Sequence, residues 1–182
     1  MGLAVLVSGS GTLLEAILAA GLRPELVLAD RPCRALEVAA AAGFDTGCVR
    51  RLSFGRDFDR DAYTDAVVAS LKDHGVDTVA MAGFMTILGP AAFSTFPERI
   101  VNTHPSLLPA FPGAHAVRDA LAYGVRVTGC TVHLATEQVD HGPILAQEPV
   151  PVLRHDDEAT LHERIKAVER RLYPCIIQEL LP

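Results

Sequence analysis

Short apolar runs recur at Leu3 to Val7, Glu25 to Ala29 and Val76 to Met81, and stretches with helical spacing lie between them. Few architectures accommodate that alternation. A strand that returns parallel to its neighbour needs a crossover long enough to hold a helix, so strand and helix in turn predict a parallel sheet covered by helices.

The helical stretches have readable ends. The first starts at Thr12, runs through Leu13, Leu14, Ile17 and Leu18, and stops at Gly21, a residue suited to the left-handed position beyond a helix end. A second covers Cys33 to Ala42. Phe58 to His74 reads as a third, with Ala62, Ala66, Ala69 and Asp73 at helical spacing and Gly75 as its stop. Beyond residue 90 the texture changes, because Pro90, Pro97, Pro105, Pro109 and Pro112 would each break a long helix or a central strand, and a shaped loop region is predicted. A short helix over Ala114 to Tyr123 follows, then strands over Val125 to Ala135 and Ile144 to Val152, joined by a loop that holds Asp140, His141 and Gly142. The tail predicts a helix capped by Asp156 with Leu161, Ile165, Val168 and Leu172 on one stripe, which Pro174 should kink or end. The fold class is α/β: one Rossmann-like domain over residues 1–182, with a mainly parallel central sheet flanked by helices. A chain of this length buries roughly 70% of its unfolded surface, so packing alone can supply a core.

Charge narrows the partners. Sixteen basic against 22 acidic residues give a net charge of −6, which argues against a general binder of nucleic-acid backbones. Leu3 to Val7 is too short for a signal-peptide core or a membrane span and no basic residue precedes it, so a cytoplasmic protein with no membrane partner is expected. Cys33, Cys48, Cys130 and Cys175 lie far apart, as expected of reduced, mostly buried thiols.

Three segments could carry chemistry. Ser8-Gly9-Ser10-Gly11-Thr12 lies between a strand and a helix, where free backbone N–H groups and the helix dipole favour a phosphate; the alternative is an ordinary tight turn. The third glycine of a dinucleotide fingerprint would fall at Leu14, although Gly9, Gly11 and Asp30 keep an NAD-binding reading open. In Asn102-Thr103-His104-Pro105-Ser106-Leu107-Leu108-Pro109, an amide that can donate to an oxyanion stands two positions from an imidazole that can exchange protons. On an extended backbone both side chains would project to one side; a structural loop with a satisfied histidine is the alternative. Asp140, in a turn, could face His104 and favour its imidazolium, or simply be solvated. Seven histidines, among them His104, His115 and His133, form no H-E-x-x-H or other tight ligand pair, and no G-x-S-x-G elbow occurs; neither a metal nor a serine nucleophile is expected. Lys166 and Glu169, three apart, read as a surface ion pair.

Taken in order, the first two segments, Ala82-Gly83-Phe84-Met85, Gly129-Cys130-Thr131-Val132-His133 and Asp140-His141-Gly142-Pro143 resemble the folate-dependent formyltransferases over nearly the whole chain, most closely the members acting on glycinamide ribonucleotide in purine biosynthesis. The resemblance implies transfer of a formyl group from 10-formyltetrahydrofolate as cosubstrate, with small molecules as the only partners. It assigns Asn102, His104 and Asp140 as the catalytic trio. It gives the ribonucleotide Gly11, Thr12 and Leu13 through backbone, with Lys166 and Glu169 contributing to phosphate and ribose. It gives the folate Met85, Thr86, Ile87, Leu88, Asn102 and the run Thr136, Glu137, Gln138, Val139 and Asp140, with Arg60 as a partner for the anionic tail. The loops then take names: a phosphate loop near 8–13, a catalytic loop near 102–109 and a folate loop near 136–143.

Two positions depart from the family pattern: Leu13 stands where Asn is common, and Thr86 where a basic residue is common. The same trio occurs in enzymes acting on initiator methionyl-tRNA or sugar nucleotides and in formyltetrahydrofolate deformylase. The absence here of a further C-terminal or an N-terminal regulatory domain, and the acidic charge, favour the ribonucleotide. A regulator that binds both ligands silently would not need Asn, His and Asp together. Oligomeric state is left open by the sequence.

Overall fold

The computed structural model describes residues 2–53 and 55–181; Met1, Phe54 and Pro182 lie outside the described residues. Seven strands form one sheet: β1 (Gly2–Val7), β2 (Leu26–Ala29), β3 (Thr46–Cys48), β4 (Val76–Ala82), β5 (Ile100–His104), β6 (Val127–Leu134) and β7 (Ile144–Pro151), in the spatial order β3-β2-β1-β4-β5-β6-β7. The first five run parallel, and β6 and β7 complete the sheet by antiparallel pairing.

β1 shows why the middle of the sheet holds. All six of its residues are buried, with Leu3, Val5 and Val7 packing on one face and Ala4 and Leu6 on the other. The first face is covered by α1 (Thr12–Ala19), α2 (Arg34–Ala41) and the long α6 (Glu158–Leu180); the second by α3 (Arg60–Asp73) and the short α4 (Pro90–Thr95). Each large aliphatic side chain so buried contributes about 1.5–3 kcal/mol. The helix α5 (Ala116–Tyr123) packs through Val117 with Leu161 and Ile165 of α6 on Cys130 and Val150 of the antiparallel end.

Several expectations need correction. The proline-rich segment is not all loop: Pro90 occupies the first turn of α4, where its missing N–H costs nothing, and β5 lies between Pro97 and Pro105, so neither ring interrupts its ladder. The helix expected over Phe58 to His74 forms as α3, with Tyr63, Val67, Val68 and Leu71 turned to the core and Ala62, Ala66 and Ala69 facing out. The N-cap of α6 is Asp157, which accepts from Thr160 N–H at 2.8 Å in a reciprocal capping box; Asp156 instead pairs with Arg164. Pro174 does not end α6, since the buried Ile176 and Ile177 hold the turn beyond it against the core. The thiols are free, yet only Cys130 is buried, while Cys48 and Cys175 are exposed.

The chain passes from β1 outward to β2 and β3 and then returns to the other side of β1 as β4. In such open sheets the crevice at the carboxyl ends of the strands flanking this switch point is where ligands bind. Among the described residues, no helix is long and apolar enough to cross a membrane.

Candidate active site

A cleft of about 680 Å³ opens at that crevice, lined by the loop after β1, the segment after β4, the end of β5, the loop before β7 and one face of α6. It gathers Gly11, Thr12 and Leu13 with Asn102, His104 and Asp140, and with Lys166 and Glu169, so groups more than 150 residues apart share one cavity.

The loop after β1 is shaped by Gly11, the N-cap of α1, whose φ of 80° is strained for any other residue and whose absent side chain leaves room for Ala35; a Cβ there would come within 2.9 Å of Ala35 Cα. Arg34 donates to Ser10 O at 2.6 Å and Ala35 N–H to Gly9 O at 3.1 Å, bracing the loop against α2. Leu13 turns its side chain into the core and leaves only backbone for a ligand.

β5 carries Asn102 and His104 two residues apart, both lining the cleft as an extended backbone requires. The ring of His104 is buried. Its Nε2–H donates to Phe111 O at 2.8 Å, since a carbonyl can only accept, and its Nδ1 lies 3.5 Å from Asp140 Oδ2. Gly113 N–H donates to that same Oδ2 at 2.7 Å. Phe111 and Asp140 both hold positive φ, 52° and 59°, a conformation costing about 1–3 kcal/mol and found mainly where surrounding contacts enforce it. The loop beneath is fastened by Thr131, which donates to Ser106 O at 2.6 Å and accepts from Leu108 N–H at 3.1 Å.

His133, to which the sequence assigns no role, stands opposite Asn102 in the β5–β6 ladder. Burial holds its imidazole below the ordinary value, favouring the neutral ring. Its Nδ1–H donates to Leu134 O at 2.9 Å, so Nε2 is an acceptor and meets Asn102 Nδ2 at 3.3 Å. Direct cross-strand neighbours share a face, which is the signal that could have marked it.

On α6, Tyr173 sets the orientation: its buried hydroxyl lies 2.8 Å from Val101 O and 3.1 Å from Met81 O. One turn earlier Glu169 faces the cleft, and burial pushes its carboxyl up against a hydrogen bond from Thr103 and the nearby charge of Lys166. Lys166 and Glu169 therefore line the cleft, and no ion pair joins them among the described residues. His162, a turn before Lys166, also lines it and is held below the ordinary value by burial and by Lys166; sequence reading passed over it.

The segment after β4 alternates. Met85 and Ile87 expose apolar side chains to the cleft while Thr86 and Leu88 are buried beneath. Thr136 and Val139 line the facing wall; Arg60, Glu137 and Gln138 are not among the lining residues. Asp30, which with Gly9 and Gly11 keeps an NAD-binding reading open in the sequence, is fully buried and bound to Arg31 and Thr86. No group of three or more metal-ligating side chains is assembled among the described residues.

Comparison with known proteins places this geometry. A family model described as formyl transferase matches residues 1–177. Phosphoribosylglycinamide formyltransferase of Mycobacterium tuberculosis (strain ATCC 25618 / H37Rv) is 54% identical, with 98% of this chain and 84% of that protein aligned. The crystal structure of glycinamide ribonucleotide transformylase 1 from Symbiobacterium toebii superposes with a TM-score of 0.88 at 43% identity, over 96% of this chain and 84% of the other. That of phosphoribosylglycinamide formyltransferase from Bacillus halodurans superposes with a TM-score of 0.90 at 38% identity, over 100% and 95%. With the family model matched over residues 1–177 and relatives of this identity aligned over nearly the whole chain, the chain belongs to the formyl transferase family, within its phosphoribosylglycinamide formyltransferases.

Proposed function

We propose that the protein is a cytoplasmic enzyme of de novo purine biosynthesis that transfers the formyl group of 10-formyltetrahydrofolate to the amine of glycinamide ribonucleotide, with residues 1–182 as one formyltransferase domain. The observation that carries the reading is the approach of His104 Nδ1 to Asp140 Oδ2 at 3.5 Å, within one cleft with Asn102 and a glycine-shaped loop at a helix N-terminus.

The ribonucleotide phosphate sits on the N–H groups of Gly11, Thr12 and Leu13, with Lys166 as its cation and Glu169 toward the ribose. The folate lies between Met85 to Leu88 and Thr136 to Asp140, its ring against the apolar side chains of Met85, Ile87 and Val139, and Arg60 serves its anionic tail from beyond the cleft wall.

The amine nitrogen attacks the formyl carbon, and the oxygen gains charge as the tetrahedral intermediate forms. Asn102 has a second amide hydrogen to donate to it, the first being spent on His133. The Asp140 carboxylate, 3.5 Å from His104 Nδ1, stabilises positive charge on that ring when it takes up a proton beside the oxyanion. Collapse breaks the bond from carbon to the folate nitrogen. The amine proton passes to that nitrogen by way of His104 or an ordered water beside Asp140, and no covalent enzyme intermediate is formed.

Formyl transfer by the purified protein should be measured with glycinamide ribonucleotide, methionyl-tRNA and water as competing acceptors. The ribonucleotide is the expected acceptor, and transfer to tRNA or water with none to the ribonucleotide would sink this reading.

A further inference from the structure

One buried charge outside the trio sits where the two ligand segments leave the sheet. Asp30 directly follows β2, which lies beside β1, and none of it reaches solvent. Arg31 donates to both of its oxygens, Nε to Oδ1 at 2.9 Å and Nη2 to Oδ2 at 3.2 Å. Thr86 Oγ1 donates to Oδ2 at 2.8 Å, and the Ser8 hydroxyl is a further donor. Ser8 Oγ in turn accepts the N–H of Met85 at 2.9 Å. Burial works against charge on Asp30, but the hydrogen bonds from Arg31, Thr86 and Ser8 outweigh it and hold the carboxyl below the usual range.

These contacts tie together the exits of three strands. Asp30 follows β2, Ser8 follows β1 and opens the loop to Gly9 and Leu13, and Met85 and Thr86 follow β4 in the segment that forms the apolar wall. Both cleft-lining segments are thereby fixed to one ionised group. Such an anchor is stiff, because losing any donor leaves a buried charge underpaired, which costs far more than the bond contributes.

We propose that Asp30, bound by Thr86 and Ser8, is a positioning residue that sets the spacing between the ribonucleotide loop and the folate wall, and hence between the attacking amine and the formyl carbon. The inference rests on the formyl-transfer reading above. Two separately bound small molecules must meet at reacting distance, and a misplacement of about 1 Å can cost on the order of 10²-fold in rate. Thr86 therefore acts on this spacing from beneath the groove, through its hydroxyl.

Thr86→Val keeps the shape and removes the donor, whereas Thr86→Ser keeps the donor. Thr86→Val is expected to lower kcat by about tenfold or more while KM for each substrate changes by less than about threefold, and Thr86→Ser should recover most of the loss. The pH–rate profile should keep its shape, since the trio is untouched. In the unliganded protein, amide hydrogen exchange across Gly9 to Leu13 should quicken in Thr86→Val and not in Thr86→Ser. If Thr86→Val fails to fold, Ser8→Ala cuts the link to Met85 and carries the same expectations. Turnover within about twofold of wild type with unchanged exchange would overturn the proposal, as would equal impairment in the Val and Ser variants. Should the wild type not formylate the ribonucleotide, the functional reading fails, and the exchange experiment still decides whether residue 86 holds the loop.

Discussion

Gly113 N–H grips Asp140 Oδ2 at 2.7 Å while Phe111, two residues earlier, accepts from His104 Nε2 at 2.8 Å, so one short turn of backbone holds both members of the His104 and Asp140 pair. The ring is thereby oriented from both sides. With Nε2–H committed to a carbonyl, Nδ1 is the nitrogen left to face the carboxylate.

Gly113 has a φ of 94°, which strains any residue with a side chain, yet a Cβ there would meet nothing within 4 Å. Gly113→Ala therefore perturbs the turn through its backbone and not by a clash, at about 1–2 kcal/mol for the left-handed conformation. Relaxing that strain moves the N–H off Asp140. Turnover should fall by about tenfold or more with the melting temperature lowered by a few degrees at most. A variant with wild-type kcat would show that the turn is not what aligns the pair.

Asp140→Asn is a clean test of charge, because Asn tolerates the φ of 59° that Asp140 adopts and its carbonyl oxygen can still accept from Gly113. What it loses is the negative charge 3.5 Å from His104 Nδ1. Turnover is expected to drop by about 10²-fold, within the range for impaired proton transfer, while thermal stability changes little. Steady-state kinetics beside a melting curve check it, and activity close to wild type would return Asp140 to an ordinary turn residue.

Local signals in the sequence were enough for β1, the loop from Ser8 to Thr12 and α1, because apolar run, glycine pair and helical spacing follow one another within about twenty residues. Asn102 and His104 were also legible as a pair, needing only an extended backbone. β5 itself was not, because five residues between Pro97 and Pro105 give too little period-two pattern to outweigh the prolines. α3 was legible from spacing alone, but the alanines at that spacing do not say which face is buried, because their small surface does not decide it. Asp140 lies 36 residues beyond His104, and nothing in spacing reveals that they meet. Least visible were the groups that hold the pair: a carbonyl at Phe111 and an N–H at Gly113 are backbone atoms that every such residue carries.

Lys166 lines the same cleft as the loop after β1, whose position 13 offers no side-chain donor. The cation on α6 should therefore carry a large share of phosphate recognition. Lys166→Ala is expected to weaken ribonucleotide binding by about tenfold, the scale of one charge-assisted hydrogen bond, and to leave folate affinity nearly unchanged because the apolar wall is elsewhere in the cleft. Titration calorimetry with each ligand separately measures both, and unchanged ribonucleotide affinity would make Lys166 a bystander.

The start of α6 offers a test by pH. The Arg164 guanidinium donates to both oxygens of Asp156, at 2.6 and 2.9 Å, and with the N–H of Leu153 holds its carboxyl down at about 2, below the ordinary 3.8. A carboxyl lowered on folding binds fewer protons in the native than in the unfolded state, so its contribution is fully present above the unfolded value and fades as pH falls through about 2. Asp156→Asn should therefore melt below the wild type at neutral pH, and the gap between the two should narrow progressively from pH 4 toward pH 2. Because α6 presents Lys166 and Glu169 to the cleft but is capped independently by Asp157, the variant should keep ribonucleotide binding at 25 °C. Melting curves for both proteins across that acid range decide the matter, and a gap that stays constant down to pH 2 would mean that the ion pair is not what stabilises this end of the helix.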